Sequence, residues 1–199
     1  MTLSRHSSAL PPAGRHELIL GGAKSGKSRT AELRAAAWLA AAPGREATLI
    51  ATALAGDEEM AERIRRHQAE RAARVHALRT VEAPLDLPGA LRIHAHPERL
   101  LVVDCLTLWL TQCLLPPAGD GLDKAGWAAC EARLLAALRD SASPVVLVSN
   151  EIGLGVMPMS REARACVDAL GLLHQRVAGL CERVTLMVAG CELRVKGAQ

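Results

Sequence analysis

The chain has 199 residues, enough for one full core, and a formal net charge of +3; half of its residues are hydrophobic. This composition excludes a disordered chain, and a charge this small permits an anionic ligand without calling for nucleic acid. With Phe and Tyr absent, Trp38, Trp109 and Trp127 leave almost nothing on which single-stranded bases could stack.

Residues Met1 to Arg15 mix Ser, Pro, Gly and scattered charge and read as a loose tail before a single domain over 16–199. No apolar run reaches membrane-spanning length, and no secretory core stands at the N-terminus. Six cysteines (Cys105, Cys113, Cys130, Cys166, Cys181 and Cys191) lack C-x-x-C spacing, and several lie in apolar runs. Reduced thiols in a cytoplasmic protein are expected, rather than a zinc site or a disulfide frame.

A first strand is expected over His16 to Leu20, followed by Gly21-Gly22-Ala23-Lys24-Ser25-Gly26-Lys27-Ser28, the spacing G-x-x-x-x-G-K-S. Strand, glycine loop and helix in this order form a nucleoside triphosphate site. The glycines let backbone N–H groups turn toward phosphate oxygens, and the helix N-terminus adds its partial positive charge. Lys27 can reach the β- and γ-phosphates, and Ser28 can ligate Mg²⁺. Without ligand, Lys27 is expected to face solvent. The alanine-rich helix from Ser28 runs to about Ala42 and stops at Pro43-Gly44, and Ala47 to Thr52 is a second strand, apolar as parallel strands covered on both faces are.

Asp57 is a candidate N-cap for a charged amphipathic helix, with Glu59–Arg63 and Glu62–Arg66 as i,i+4 pairs. Met60, Ile64 and His67 share one face, so His67 closes an apolar stripe near the helix C-terminus; spacing alone favours a histidine that caps carbonyls there. Residues Gln68 to Leu78 read as basic and irregular, and Arg79 to Pro84 as a short strand or turn carrying Glu82. Leu100 to Asp104 is an apolar strand ending in an acid that can hold Mg²⁺ or its water shell opposite Ser28. After the Pro116 to Gly121 loop, a helix over Asp123 to Arg139 leads to a strand over Pro144 to Ser149. Asn150 and Glu151 stand at its carboxyl end, where ligands gather in open α/β sheets. A helix over Ser160 to Cys181, a strand over Val184 to Val188 and a short strand over Leu193 to Lys196 complete the chain. This alternation predicts an α/β fold of three layers, a mostly parallel sheet flanked by helices, of the P-loop NTPase type.

Several segments together resemble the bifunctional adenosylcobinamide kinase/adenosylcobinamide-phosphate guanylyltransferase family. They are Gly21 to Ser28, Ile50-Ala51-Thr52, Asp57 to Met60 with Arg63-Ile64 and His67, Thr80 to Leu87, Val103 to Leu110, and Val148 to Gly153. Order and spacing hold from about Glu17 to Lys196. The resemblance implies phosphorylation of the aminopropanol hydroxyl of adenosylcobinamide by ATP or GTP with Mg²⁺. GMP is then transferred from GTP to that phosphate through a GMP-histidine, here His67. It also implies nucleotide contacts from Thr52, Ala53, Leu54, Gln68, Ala69, Glu70, Arg71, Glu82 and Asp104, and a homotrimer with nucleotide sites near subunit boundaries. The chain departs from the family pattern after His67, where Arg71-Ala72 replaces Arg-Pro, and at Leu173-His174-Gln175, where Asn is usual at the middle position. Two other classes share the phosphate loop: a small-molecule kinase without guanylyl transfer, and a nucleotide-binding regulatory protein.

Overall fold

The computed structural model describes residues 16–54 and 58–197; within 58–74 it describes the backbone throughout and only part of the side chains. The expected tail over 1–15 and the Asp57 cap lie outside the described residues. Seven strands, β1 (Glu17–Gly21), β2 (Glu46–Ala51), β3 (Leu78–Glu82), β4 (Arg99–Asp104), β5 (Val145–Asn150), β6 (Arg183–Val188) and β7 (Cys191–Lys196), form one sheet in the order β3-β2-β4-β5-β1-β6-β7. All neighbours are parallel except β6 and β7, which pair antiparallel through a tight turn at Ala189-Gly190.

The strands are apolar on both faces because both are covered. Alternate residues feed two cores. On one face Ile19, Leu49, Leu100, Val102, Val146 and Val148 pack with Trp38 of α1 (Lys27–Ala41). On the other, Leu18, Ile50, Leu101, Val103 and Leu147 meet α3 (Leu87–His94), α4 (Leu106–Leu114), α5 (Lys124–Arg139) and α6 (Arg161–Leu180). The remaining helix, α2 (Glu58–Arg74), joins β2 to β3.

Three expectations change. The residues after Gln68 are not irregular: α2 continues to Arg74. Its C-terminal basic residues are held from outside the helix, Arg71 and Arg74 by Glu32 of α1 and Arg71 also by Thr80. Glu62 pairs with Arg65 at 2.7 Å, one residue short of the expected Arg66. Two short helices, α3 and α4, were not expected. Asp86 caps α3 by accepting from the Gly89 N–H at 3.2 Å, with Pro88 in the first turn. The α4 sequence, LTLWLTQCL, shows no clean polar face because it is largely buried, with Trp109 stacked 5.4 Å from Trp127. Among the described residues no helix is long and apolar enough to cross a membrane, and the six cysteines are free thiols.

Candidate functional site

Parallel register brings the carboxyl ends of four strands to one edge. Gly21 of β1 stands opposite Asn150 of β5, and Asp104 of β4 opposite Ala51 of β2. Since β5 lies between β1 and β4, the loop after Gly21 and the carboxylate of Asp104 sit about 10 Å apart in strand spacing. This gap suits a chain of phosphates.

The loop needs glycine at two places. At Gly21 the backbone passes so close to β6 that a Cβ would stand 2.6 Å from the Met187 carbonyl oxygen and 2.7 Å from Ser25 Oγ. At Gly26, the residue before α1, φ is 102°, in the left-handed region. The Gly190 N–H donates to the Ser25 carbonyl at 3.0 Å, so the β6–β7 turn buttresses the loop from outside. Ser25 Oγ is buried without a protein partner. A cleft of about 620 Å³ opens between the loop and this hairpin, lined by Lys24, Gly26, Arg29, Met187 and Glu192.

Lys27 does not face solvent as expected. It is 7% exposed, and its ammonium donates to the Gly22 carbonyl oxygen at 2.6 Å. The curled loop presents that carbonyl to its own lysine, which folds back over it. Burial lowers the Lys27 pKa from the usual lysine range, while Cys105 and the Asp104 carboxylate act in the opposite direction. Asp104 and Lys27 therefore share one electrostatic environment. Ser28 follows at the start of α1, half-buried like Asp104. A hydroxyl and a carboxylate are hard oxygen donors of the kind Mg²⁺ takes. Among the described residues no group of three or more His, Cys, Asp or Glu is placed to hold a metal ion.

Around this edge the polar groups are tied to the fold. Thr52 is fully buried; its hydroxyl donates to the Cys105 carbonyl at 2.7 Å and accepts from the Cys105 N–H at 2.8 Å. Gln112 of α4 donates to the Thr52 carbonyl at 2.7 Å. Burial, reinforced by Asp104, pushes the Cys105 thiol up to about 11, so it stays neutral at pH 7. Ala53 is half-buried and Leu54 exposed just beyond Thr52. Glu82 ends β3 beside Ala51 and is exposed.

Gln68, Ala69, Glu70 and Arg71 all lie on α2. Gln68 and Ala69 are exposed, and the side chain of Glu70 lies outside the described residues. Arg71 is buried against Glu32 and Thr80. The backbone places His67 about two turns before the end of α2 rather than in its last turn; its side chain lies outside the described residues. Thr107, Ser149 and His174, of which the sequence marks only His174, as a departure from the family pattern, are hydrogen-bonded in a chain near the loop. Ser149 and Thr107 resembled ordinary strand and helix residues, and only the sheet order joins them.

A family described as cobinamide kinase/cobinamide phosphate guanyltransferase matches residues 17–195. The bifunctional adenosylcobalamin biosynthesis protein CobP of Pseudomonas aeruginosa is 49% identical over 184 residues, 91% of this chain and 97% of that protein. The proteins named CobU of Salmonella typhimurium and Escherichia coli are 35% and 34% identical, each over 90% of this chain and 98% of its own length. Among solved structures, the flagellar accessory protein FlaH of Methanocaldococcus jannaschii superposes with a TM-score of 0.54 at 13% identity, covering 98% of this chain and 86% of that one. This last likeness concerns the fold alone. With the phosphate loop, the acid-ended β4 and nearly the whole described chain inside the match, this protein belongs to the cobinamide kinase/cobinamide phosphate guanyltransferase family.

Proposed function

We propose that this chain phosphorylates adenosylcobinamide with ATP or GTP and then transfers GMP from GTP to the product, giving adenosylcobinamide-GDP and pyrophosphate. The observation that carries the reading is the family match over 17–195, which includes both the Gly21–Ser28 loop and Asp104 at one sheet edge.

For γ-phosphoryl transfer the protein mainly positions the reactants and neutralises charge. The loop N–H groups and the α1 N-terminus cradle phosphate oxygens, and Lys27 swings from Gly22 to the β- and γ-phosphates. Ser28 and Asp104 would hold Mg²⁺, which when bound neutralises charge on the phosphates. Thr52, Ala53, Leu54 and Glu82 are proposed to line the nucleotide on the β2–β3 side, and Gln68, Ala69, Glu70 and Arg71 on the α2 side.

Guanylyl transfer requires attack at the α-phosphorus, and a covalent intermediate divides it into two displacements. We assign the nucleophile to His67. An imidazole nitrogen bonds to the α-phosphorus as the bond to the pyrophosphate leaving group breaks, and a phosphate oxygen of the corrinoid then displaces the histidine. The described side chains of α2 are exposed apart from Arg71 and the half-buried Ala61, which supports a helix able to shift toward the loop. A homotrimer with nucleotide sites near subunit boundaries belongs to the same proposal; light scattering that gives a monomer at working concentration would remove it.

The central test is incubation with GTP labelled at the α-phosphate, followed by mass analysis of the protein. GMP bound through an acid-labile, alkali-stable bond at His67 is expected. A protein that carries no label, yet phosphorylates the corrinoid, would instead be a kinase without guanylyl transfer.

A further inference from the structure

The end of β5 carries a closed chain of polar side chains that the chemistry above does not use. Asn150 donates its backbone N–H to Thr107 Oγ1 at 2.8 Å, and Thr107 Oγ1 lies 3.0 Å from Ser149 Oγ. Ser149 Oγ lies 2.8 Å from His174 Nε2, and His174 Nδ1 lies 3.7 Å from Glu151 Oε2. Proton positions follow from the ends inward. We assign the proton of the neutral ring to Nδ1, which faces the Glu151 carboxylate across 3.7 Å, an electrostatic contact and not a direct hydrogen bond. Burial lowers the His174 pKa and favours the neutral ring, against the opposing pull of Glu151. Nε2 is then bare and accepts from the Ser149 hydroxyl, which in turn accepts from the Thr107 hydroxyl. Every hydrogen runs the same way, from the β5 backbone toward the histidine.

Ser149 is fully buried and His174 is 7% exposed, and their polar contacts lie within the protein. Glu151 differs. Its side chain is 22% exposed, and one carboxylate oxygen is held by the Gly153 N–H at 2.8 Å. Its own N–H donates to the Gly21 carbonyl at 2.9 Å, while Lys27 holds the next carbonyl, Gly22. The Glu151 backbone is thus tied to the first carbonyl of the phosphate loop, next to the carbonyl that Lys27 holds. A cleft of about 570 Å³ opens beside it between the loop after β5 and α6, lined by Gly153, Met157, Val167, Gly171 and Leu172. Gly153, whose N–H holds the Glu151 carboxylate, belongs to that lining.

We propose that Glu151 receives the proton of the acceptor hydroxyl during γ-phosphoryl transfer, and that the buried His174–Ser149–Thr107 chain positions it. In that step the acceptor oxygen bonds to the γ-phosphorus and the bond to the β-phosphate oxygen breaks. The nucleoside diphosphate leaves with the electron pair, and the hydroxyl proton passes to the carboxylate and then to water. Guanylyl transfer needs no such base, because its acceptor is an already ionised phosphate oxygen. The inference rests on the kinase reading above.

Three measurements on the full chain test it. Glu151→Gln keeps the oxygen that accepts from Gly153, and should lower kcat for adenosylcobinamide phosphorylation at least about 100-fold. Its GMP transfer to prepared adenosylcobinamide phosphate should fall far less. His174→Ala should lower the same kcat about 10-fold, at the small end of general-base effects, with the nucleotide KM unchanged. His174→Gln, which can still accept from Ser149, should recover part of that loss. Nitrogen NMR of the wild type should show His174 protonated at Nδ1 and bare at Nε2. Wild-type-like phosphorylation by Glu151→Gln, an equal fall of both activities in His174→Ala, or a proton on Nε2 would each overturn the assignment. A wild type that phosphorylates no corrinoid overturns the functional reading itself, which an active Glu151→Gln protein beside an active wild type does not.

Discussion

The edge around Gly21–Ser28 and the helix carrying His67 are built differently. At the edge, Lys27 is folded back on Gly22, Thr52 is bound twice to Cys105, and Thr107 and Ser149 are joined to His174. Along α2 the described Glu62–Arg65 pair is more than 60% exposed on both sides, so it contributes only about 0.3–0.5 kcal/mol. Among the described residues, the contacts that tie α2 to α1 lie in its C-terminal part, where Arg71 and Arg74 meet Glu32. The difference matches two chemistries. Transfer of a γ-phosphoryl group depends on positioning and charge neutralisation at a fixed edge, where on the proposed reading Lys27 needs only to swing from Gly22. In the proposed guanylyl transfer, attack at the α-phosphate calls for a nucleophile on a separate element, and α2 carries His67.

The strongest way to break this contrast is Lys27→Ala. It should lower phosphorylation by about 1,000-fold, the loss of a preorganised charge partner. Burial already disfavours the ammonium, so denaturant stability should change by less than about 1 kcal/mol. Retained wild-type phosphorylation would show that the loop is not the kinase site.

His67→Ala separates the two regions. GMP transfer and acid-labile labelling by GTP should disappear, while at least part of the kinase activity remains, because γ-transfer does not use the imidazole. Acid-labile GMP persisting on that variant would move the nucleophile elsewhere.

Glu32→Gln sharpens the comparison at the anchor. Glu32 and Arg71 are both buried, and neutralising the acid leaves a buried guanidinium without its counter-charge. A loss of about 2–3 kcal/mol in urea denaturation is expected, together with a larger fall in GMP transfer than in phosphorylation. An equal fall in both activities would mean that α2 and the loop edge behave as one body.

The smallest effect is a pH dependence of the scaffold. His16 is buried; its Nδ1 accepts from the Val145 N–H at 3.2 Å, which leaves Nε2–H to donate to the Leu138 carbonyl at 2.9 Å. Burial lowers its pKa below 6.5, against smaller raising effects of Leu138 and Glu182, and His174 shifts in the same direction. Well above pH 6.5 both rings are neutral, folded or unfolded, and contribute no slope. As pH falls below 6.5 the unfolded chain takes up protons first, so stability declines until the folded rings protonate too. Denaturation series from pH 7.5 to pH 5 should show this decline, and His16→Gln should make it shallower.

Locally encoded features were legible from the residues. The apolar strands, the glycine spacing of the phosphate loop and the length of α6 each follow from patterns within one segment, where backbone geometry and burial act over a few residues. The family resemblance supplied His67, which spacing alone would have left as a cap. Reading failed where burial erased the pattern. Covered nearly all round, α4 shows no polar face, and the last turns of α2 looked irregular because the partner of their arginines, Glu32, lies on another helix.

The sequence by itself determined which segments become strand, loop and helix, since these choices are decided among near neighbours. Only the tertiary structure decided which strand ends stand together. With β5 between β1 and β4, the strand ends at Gly21, Asp104 and Asn150 come to one edge of the sheet, and Thr107, Ser149 and His174, separated by 42 and 25 positions, become hydrogen-bond partners. The physical reason is that each of these groups finds its partner across the sheet or from an opposing helix, through packing that no local periodicity records.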